Sequence, residues 1–304
     1  MSILDVRRGG DRDGADGLAT LEAGLDALEV HEVRRVPFVK RAWSASWPPA
    51  VAVGLFLLVW ELVYRSGWKE PYALPSPGDV ALSIREQTVG ADAGQLLEAI
   101  ATSLQRGATG FVAAVAIGTP LGLLIARSSV VRRGIGPIVS GLQSLPSVAW
   151  VPAAILFFGL TDAAIYAVLL LGAVPSIANG MVSGIDQVPP LFSRVGRVLG
   201  ANGLQQARYV LLPAALPGYL AGLRQGWAFS WRSLMAAELI TNSPELGLGL
   251  GQLLDQSRQV SDAAGVYSGI LAILTVGIAV ELCLFTPVER RILRRRGLGV
   301  PELT

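Results

Sequence analysis

The chain has one cysteine (Cys283) and one histidine (His31) among its 304 residues. That excludes a disulfide framework, a zinc or haem site built on His and Cys, and a His-based catalytic triad. Charge is scarce as well, at 16% of residues, and of 25 basic residues only Lys40 and Lys69 are lysines. Neither lysine follows a glycine, so the chain holds no Gly-x-x-x-x-Gly-Lys-Ser/Thr loop to cradle nucleotide phosphates. No cofactor and no metal site is expected. With 52% apolar residues and a mean hydropathy of +0.50, the composition argues against a water-soluble enzyme.

What is present is apolar length. A spanning helix needs about 20 mostly apolar residues, and a charge at mid-bilayer is costly. Five long intervals free of ionisable residues run from Ala42 to Trp60, Gly107 to Ala126, Gly134 to Thr161, Ala163 to Ile185 and Ala263 to Val280. A sixth apolar block, Pro213 to Ala237, is interrupted by Arg224 and Arg232. The expected fold is therefore an all-α, polytopic membrane protein with six transmembrane helices. The third interval holds Pro137, Pro146 and Pro152 and should break or kink, which is tolerable only where protein or a cavity satisfies the freed carbonyls.

Arginine placement predicts the topology. Eighteen Lys and Arg fall before the first span, after the second, after the fourth and after the sixth, against four in the alternate loops. By the positive-inside rule both termini are cytoplasmic. Residues 1–46 read as a polar, disordered cytoplasmic tail, 47–65 as an uncleaved anchor helix, and 66–96 as an extracytoplasmic loop and surface helix. That surface helix should begin near Asp79, with Asp79 as its cap. Residues 97–290 form the transmembrane core and 291–304 a basic cytoplasmic tail. The five arginines ending the last span serve as a topology signal beside the lipid bilayer, and no nucleic-acid partner is expected. Trp43, Trp47, Trp60 and Tyr64 flank the first span as interface anchors.

The most informative stretch is the loop 186–213. Pro189 and Pro190 start a helix, Leu191, Val195, Val198 and Leu199 follow at helical spacing, and Gly200 to Gly203 breaks it before a second amphipathic piece ending at Pro213. Helix, tight turn, helix on the cytoplasmic face is the expected arrangement.

This loop resembles the signature loop of ABC importer permeases, in which Glu-Ala-Ala is followed after three residues by Gly, after nine more by Ile, and after one more by Leu-Pro. Gly200, Val210, Leu212 and Pro213 fit that spacing, and Gly200 to Gln205 resembles the family's Gly-Ala-Ser-x-x-Gln. The departure is at the front, where Arg194-Val195-Gly196 stands in place of Glu-Ala-Ala. Leu74-Pro75-Ser76-Pro77 with Asp79-Val80, Leu145-Pro146-Ser147 with Val151-Pro152 and Phe158-Gly159, and Ala221-Gly222-Leu223-Arg224 with Ala237-Glu238 resemble the sulfonate, taurine and nitrate branch.

The resemblance implies a non-catalytic permease subunit of the type I importer kind in the cytoplasmic membrane. Its implied partners are a second copy of itself, two copies of a cytoplasmic ATPase and an extracytoplasmic solute-binding protein. Aliphatic sulfonate stands first among the implied solutes, ahead of taurine, nitrate and a thiamine-precursor pyrimidine. Arg194, Val195, Gly196, Gly200, Ala201, Asn202, Leu204, Gln205, Leu212 and Pro213 would form the ATPase-coupling element, moving as a lever between inward-open and outward-open states.

Within the spans, Gln143, Ser144, Asn179 and Ser183 either line the solute path or bond helix to helix. Arg232 and Glu238, six residues apart, either meet an anionic ligand or tie helices together. A rival reading, a stand-alone secondary carrier or channel, would need an ion relay through Glu238, Glu281 or Arg232. A membrane-embedded enzyme would need paired carboxylates or a nucleophile motif that the sequence lacks.

Overall fold

A computed structural model describes residues 38–70, 72–90, 93–241 and 247–295. The polar tail up to residue 37, Pro71 and the last nine residues of the basic tail lie outside the described residues. By its contacts the chain divides between Val59 and Trp60. Helix α1, Phe38–Arg65, runs through that point, and its apolar side chains from Val51 to Val59 are exposed, as lipid requires.

The remainder is helical, with no strand among the described residues. In order come α2 (Pro77–Val89), α3 (Gln95–Arg127), α4 (Ser129–Gly134), α5 (Gly136–Ser144), α6 (Val151–Phe158), α7 (Asp162–Asp186), α8 (Pro190–Val198), α9 (Gly203–Gln206), α10 (Leu212–Ile240), α11 (Leu250–Gln259), α12 (Ala263–Val280) and α13 (Thr286–Arg295). Two π-turns, Ala207–Leu211 and Glu281–Phe285, join α9 to α10 and α12 to α13.

Among the described residues, four helices are long and apolar enough to cross a membrane: Trp47–Arg65, Gln95–Arg127, Asp162–Asp186 and Ala263–Arg295. A fifth crossing arises if α5 and the segment Ser147–Phe158, bent by 100° from each other, form one span. The bend falls where the prolines place it. Pro146 holds Leu145 extended at φ −76° and ψ 132°, and a 3₁₀ turn over Ser147–Trp150 leads into α6. Helix α10 has the length to cross, at 29 residues, but Arg224, Arg232 and Glu238 dilute its hydropathy.

Surface helix α2 starts two residues earlier than expected. Ser76 is its N-cap and Asp79 its third residue. The Ser76 hydroxyl accepts from the Asp79 N–H at 3.0 Å, while the Asp79 carboxylate accepts from the Ser76 N–H at 3.1 Å. Pro77, its φ already helical, occupies the first turn and displaces Asp79 from the cap to the reciprocal position. Trp60 also departs from expectation. It is buried, donates to the Pro75 carbonyl at 3.1 Å and packs on Tyr267 at 5.6 Å between ring centroids.

Helix α7 is the centre of the bundle. Of its apolar window 56% is buried, against 28% in α3 and 17% in α12–α13. Between helices in lipid there is little hydrophobic drive, so association rests on close backbone approach at small residues. Gly180 and Gly184 of α7 face Gly222 and Gly218 of α10 so closely that a methyl group on Gly180 would overlap the Gly222 Cα. On its other side, a Cβ on Gly122 of α3 would lie 2.6 Å from the Ala178 carbonyl, and one on Gly118 would lie 3.0 Å from Ile177. Helix α7 is thus clasped by two glycine seams.

Gly222→Val should cost about 1–3 kcal/mol through overpacking and sharply lower the amount of protein recovered from membranes. Gly141→Val, at a position with open space around it, should not. Fluorescence-detected size-exclusion of detergent extracts reads both.

Candidate functional site

Three features stand out once the helices are placed. Helices α3 and α7 run parallel, because Arg106 near the start of α3 meets Asp162 at the start of α7, while Arg132 just past α3 meets Asp186 at the end of α7 at 2.7 Å. Helix α10 runs antiparallel to both. The bundle therefore has one arginine-rich end, with Arg127, Arg132, Arg133, Arg194, Arg197 and Arg208, and an opposite end where Arg106, Asp162 and Glu238 gather.

At the arginine-rich end, α8 and α9 form the expected hairpin. Helix α8 closes with two reversed bonds: Ala201 N–H to the Gly196 carbonyl at 2.9 Å and Gly200 N–H to the Arg197 carbonyl at 3.0 Å. That is a Schellman closure, and it needs the left-handed φ of +84° that Gly200 supplies; Gly203 has φ +49°. Gly196 is buried against Val210, where a Cβ would come within 2.9 Å of the valine side chain. This approach explains a glycine where the resembled family has alanine.

The hairpin is fastened to the bundle where Arg127 of α3 donates to the Gly203 carbonyl at 2.9 Å, and its two arms are tied together where Gln206 donates to the Ser193 carbonyl at 3.0 Å. Arg194, Val195, Gly200, Asn202 and Gln205 are exposed, Ala201, Leu212 and Pro213 are half-buried, and Leu204 lies in α9. Leu191, Phe192, Val195, Leu199, Tyr209 and Val210 line an apolar groove of about 500 Å³. Val198 and Leu199 stand 87% and 80% exposed beside it.

Between α5, α7 and α10 lies a second cavity, of about 530 Å³. Gln143, Asn179 and Ser183 line it, together with Ser176, Gln187 and Gln225, and its floor is the glycine seam of Gly180, Gly218 and Gly222. No ionisable side chain lines it. Asn179 donates to the Gln143 side-chain carbonyl at 2.7 Å. Ser144 faces away, bonding the Gly141 carbonyl of its own helix at 2.7 Å.

The opposite end holds a buried polar knot that the sequence reading missed. Glu238 is fully buried and accepts from Arg106 at 3.2 Å, from the Ser103 hydroxyl at 2.7 Å and from the Gly251 N–H at 3.1 Å. Arg106 also donates to Asp162 at 3.0 Å and to the Gly247 carbonyl at 3.3 Å. Gln252 bonds the Gly249 N–H and the Thr241 carbonyl. Glu238 thus ties α10 to α3 and to the first turn of α11.

The other intramembrane arginines sit apart from both cavities. Arg232 is exposed, lies 5.2 Å over the Phe229 ring and makes no ion pair among the described residues. Arg224 pairs with Glu281 at the second π-turn and reaches Glu289 at 3.5 Å. The positions missed by sequence reading, Arg106, Ser103 and Gln252, carry one usable signal. Arg106 borders an otherwise charge-free interval, and a charge there calls for a partner.

A polytopic helical bundle with an apolar hairpin at its cationic end and an uncharged polar cavity within is built as a transport subunit. Residues 118–294 match the family described as binding-protein-dependent transport system inner membrane component, and the chain belongs to that family. It is 28% identical over 281 residues to a putative aliphatic sulfonates transport permease protein of Bacillus subtilis, covering 92% of this chain and 98% of that one. It is 33% identical over 242 residues to a nitrate import permease protein of Synechocystis, covering 76% and 82%. Identity to a taurine transport system permease protein of Escherichia coli is 30% over 260 residues, covering 84% and 92%. Among solved structures, a chain of the MetNI methionine ABC transporter in inward facing conformations shares the fold. Its TM-score is 0.56 at 22% identity, covering 65% of this chain and 96% of that one. The protein is accordingly a multi-pass membrane permease subunit of an ABC importer for a small solute.

Removing one partner of the knot leaves a buried charge uncompensated. Arg106→Met should destabilise the protein by about 3–5 kcal/mol, and Arg106→Met with Glu238→Gln should recover a large part of that, read as thermal unfolding in detergent.

Proposed function

We propose that this permease carries a small oxyanion, with an aliphatic sulfonate first among the candidates. Two copies of the chain work with two copies of a cytoplasmic ATPase, and an extracytoplasmic binding protein delivers the solute. The arginine-rich end faces the cytoplasm, with both termini on that side. The observation that carries this reading is the α8–α9 hairpin. It presents apolar side chains to water beside a groove, at the end of the bundle where positive charge collects, and such a surface calls for a protein to cover it.

Arg194, Val195, Gly196, Gly200, Ala201, Asn202, Leu204, Gln205, Leu212 and Pro213 are the coupling element in this reading. Because Arg127 fastens the hairpin to α3 and the π-turn Ala207–Leu211 runs on into α10, a displacement imposed by closing ATPases passes into α3 and α10 together. Gln143, Asn179 and Ser183 belong to the solute path. Glu238 holds helices together through Arg106, and Arg232 acts as a peripheral charge. A stand-alone carrier is disfavoured because Glu238 and Glu281, its candidate relay groups, are each paired with an arginine.

Gly200→Glu should leave the chain folded in the membrane but remove the co-purifying ATPase and solute uptake. Gly200→Asn, whose side chain tolerates left-handed backbone, should keep both. Retained ATPase in the Glu variant would count against the docking role. Arg232→Ala should keep most of the uptake of the tagged complex, and its loss would move Arg232 into the path.

A further inference from the structure

The cavity between α5, α7 and α10 has an unusual lining. Six side chains bring hydrogen-bonding groups to it (Gln143, Ser176, Asn179, Ser183, Gln187 and Gln225) and none brings a charge. One of them is held in a state that needs a partner. Ser176 is 2% exposed, and its hydroxyl has no hydrogen-bond partner among the described residues. A buried hydroxyl left unpaired is destabilising, so a polar ligand at this wall would satisfy a group that the protein alone does not.

The amides add direction. Asn179 donates to the Gln143 side-chain oxygen, while the two N–H donors of Gln143, a lining residue, have no partner among the described residues. With no carboxylate in the wall, nothing repels an anion. With no arginine or lysine there, nothing traps one. A transport path needs that compromise, since a solute must bind well enough to enter and weakly enough to leave.

We infer that this cavity is a transient binding site for a compact oxyanion, held by neutral donors from Gln143 and Ser176, with Gln187 and Gln225 at its rim. The inference rests on the oxyanion importer reading above and refines it: the permease itself, besides any delivering protein, selects for oxygens that accept hydrogen bonds. It also separates the solute contacts from Arg232, which lies outside the cavity.

The test uses the purified full chain in detergent, with ethanesulfonate as probe and ethyltrimethylammonium chloride at equal ionic strength as control. Ethanesulfonate should raise the unfolding midpoint by about 3 °C once it exceeds its Kd tenfold, and the ammonium salt should not. Ser176→Ala should melt no lower than the parent, because it removes an unpaired group, and it should lose most of the ethanesulfonate response. Gln143→Leu should lose the response too. An equal response in parent and both variants would place any anion elsewhere and overturn the assignment. Absence of any response to ethanesulfonate or nitrate in the parent would overturn the oxyanion site itself. In either case, recovery of an ATPase with the tagged chain would leave the importer reading standing, so the two failures are distinguishable.

Discussion

Close backbone contact across glycine is the constraint on which the rest of the bundle depends. Lipid is as apolar as a leucine side chain, so helices gain little by exchanging one for the other and must instead gain packing. Helix α7 does so on two sides, against Gly118 and Gly122 of α3 and against Gly218 and Gly222 of α10. That double seam sets α3 and α7 parallel and α10 antiparallel. It brings the start of α10 beside the end of α7, where the hairpin hangs, and the end of α10 beside the start of α3, where Arg106 meets Glu238. The same small residues leave the floor of the cavity low enough for a polar lining to converge above it.

Charge is distributed with a consistent logic. Two acidic groups inside the helices have a cation beside them: Glu238 with Arg106, and Glu281 with Arg224. The buried Arg106–Glu238 pair contributes little net stability against an apolar replacement, but losing one member is expensive. It therefore acts as a specificity device that admits one arrangement of the helices. The cavity, in contrast, carries no charge at all, and its polar groups are amides and hydroxyls whose strength suits passage more than retention.

Much of this was legible in the sequence. The charge-free intervals located the long apolar helices, the three prolines located the break between α5 and α6, and the glycine spacing at Gly200 and Gly203 located the hairpin. Each is a local signal, carried by residue type and interval alone. What escaped was pairing. Arg106 and Glu238 are separated by 132 positions and Ser103 and Glu238 by 135, and nothing local at either end names the other. The cap of α2 lies three residues before Asp79 because Ser76 and Asp79 share the work, and Trp60 looks the same in sequence whether its ring faces headgroups or Tyr267. The glycines at four-residue intervals in α3, α7 and α10 were visible in the sequence, but a search for charge-free stretches passes over them.

The composition of α10 carries a consequence for how the protein is made. Two arginines and a glutamate within 29 residues make it a poor independent span, since each such charge costs about 2.5–3.5 kcal/mol at the centre of an inserting helix. Its glutamate finds its cation on α3 and its glycines find their seat on α7, both synthesised earlier. Arg224, however, pairs with Glu281 and Glu289, which emerge from the ribosome later. The partners of α10 therefore lie on both sides of it in the chain, on α3 and α7 before it and at Glu281 and Glu289 after it. The ion pairs of Arg224 can close only once the chain through residue 289 has been made.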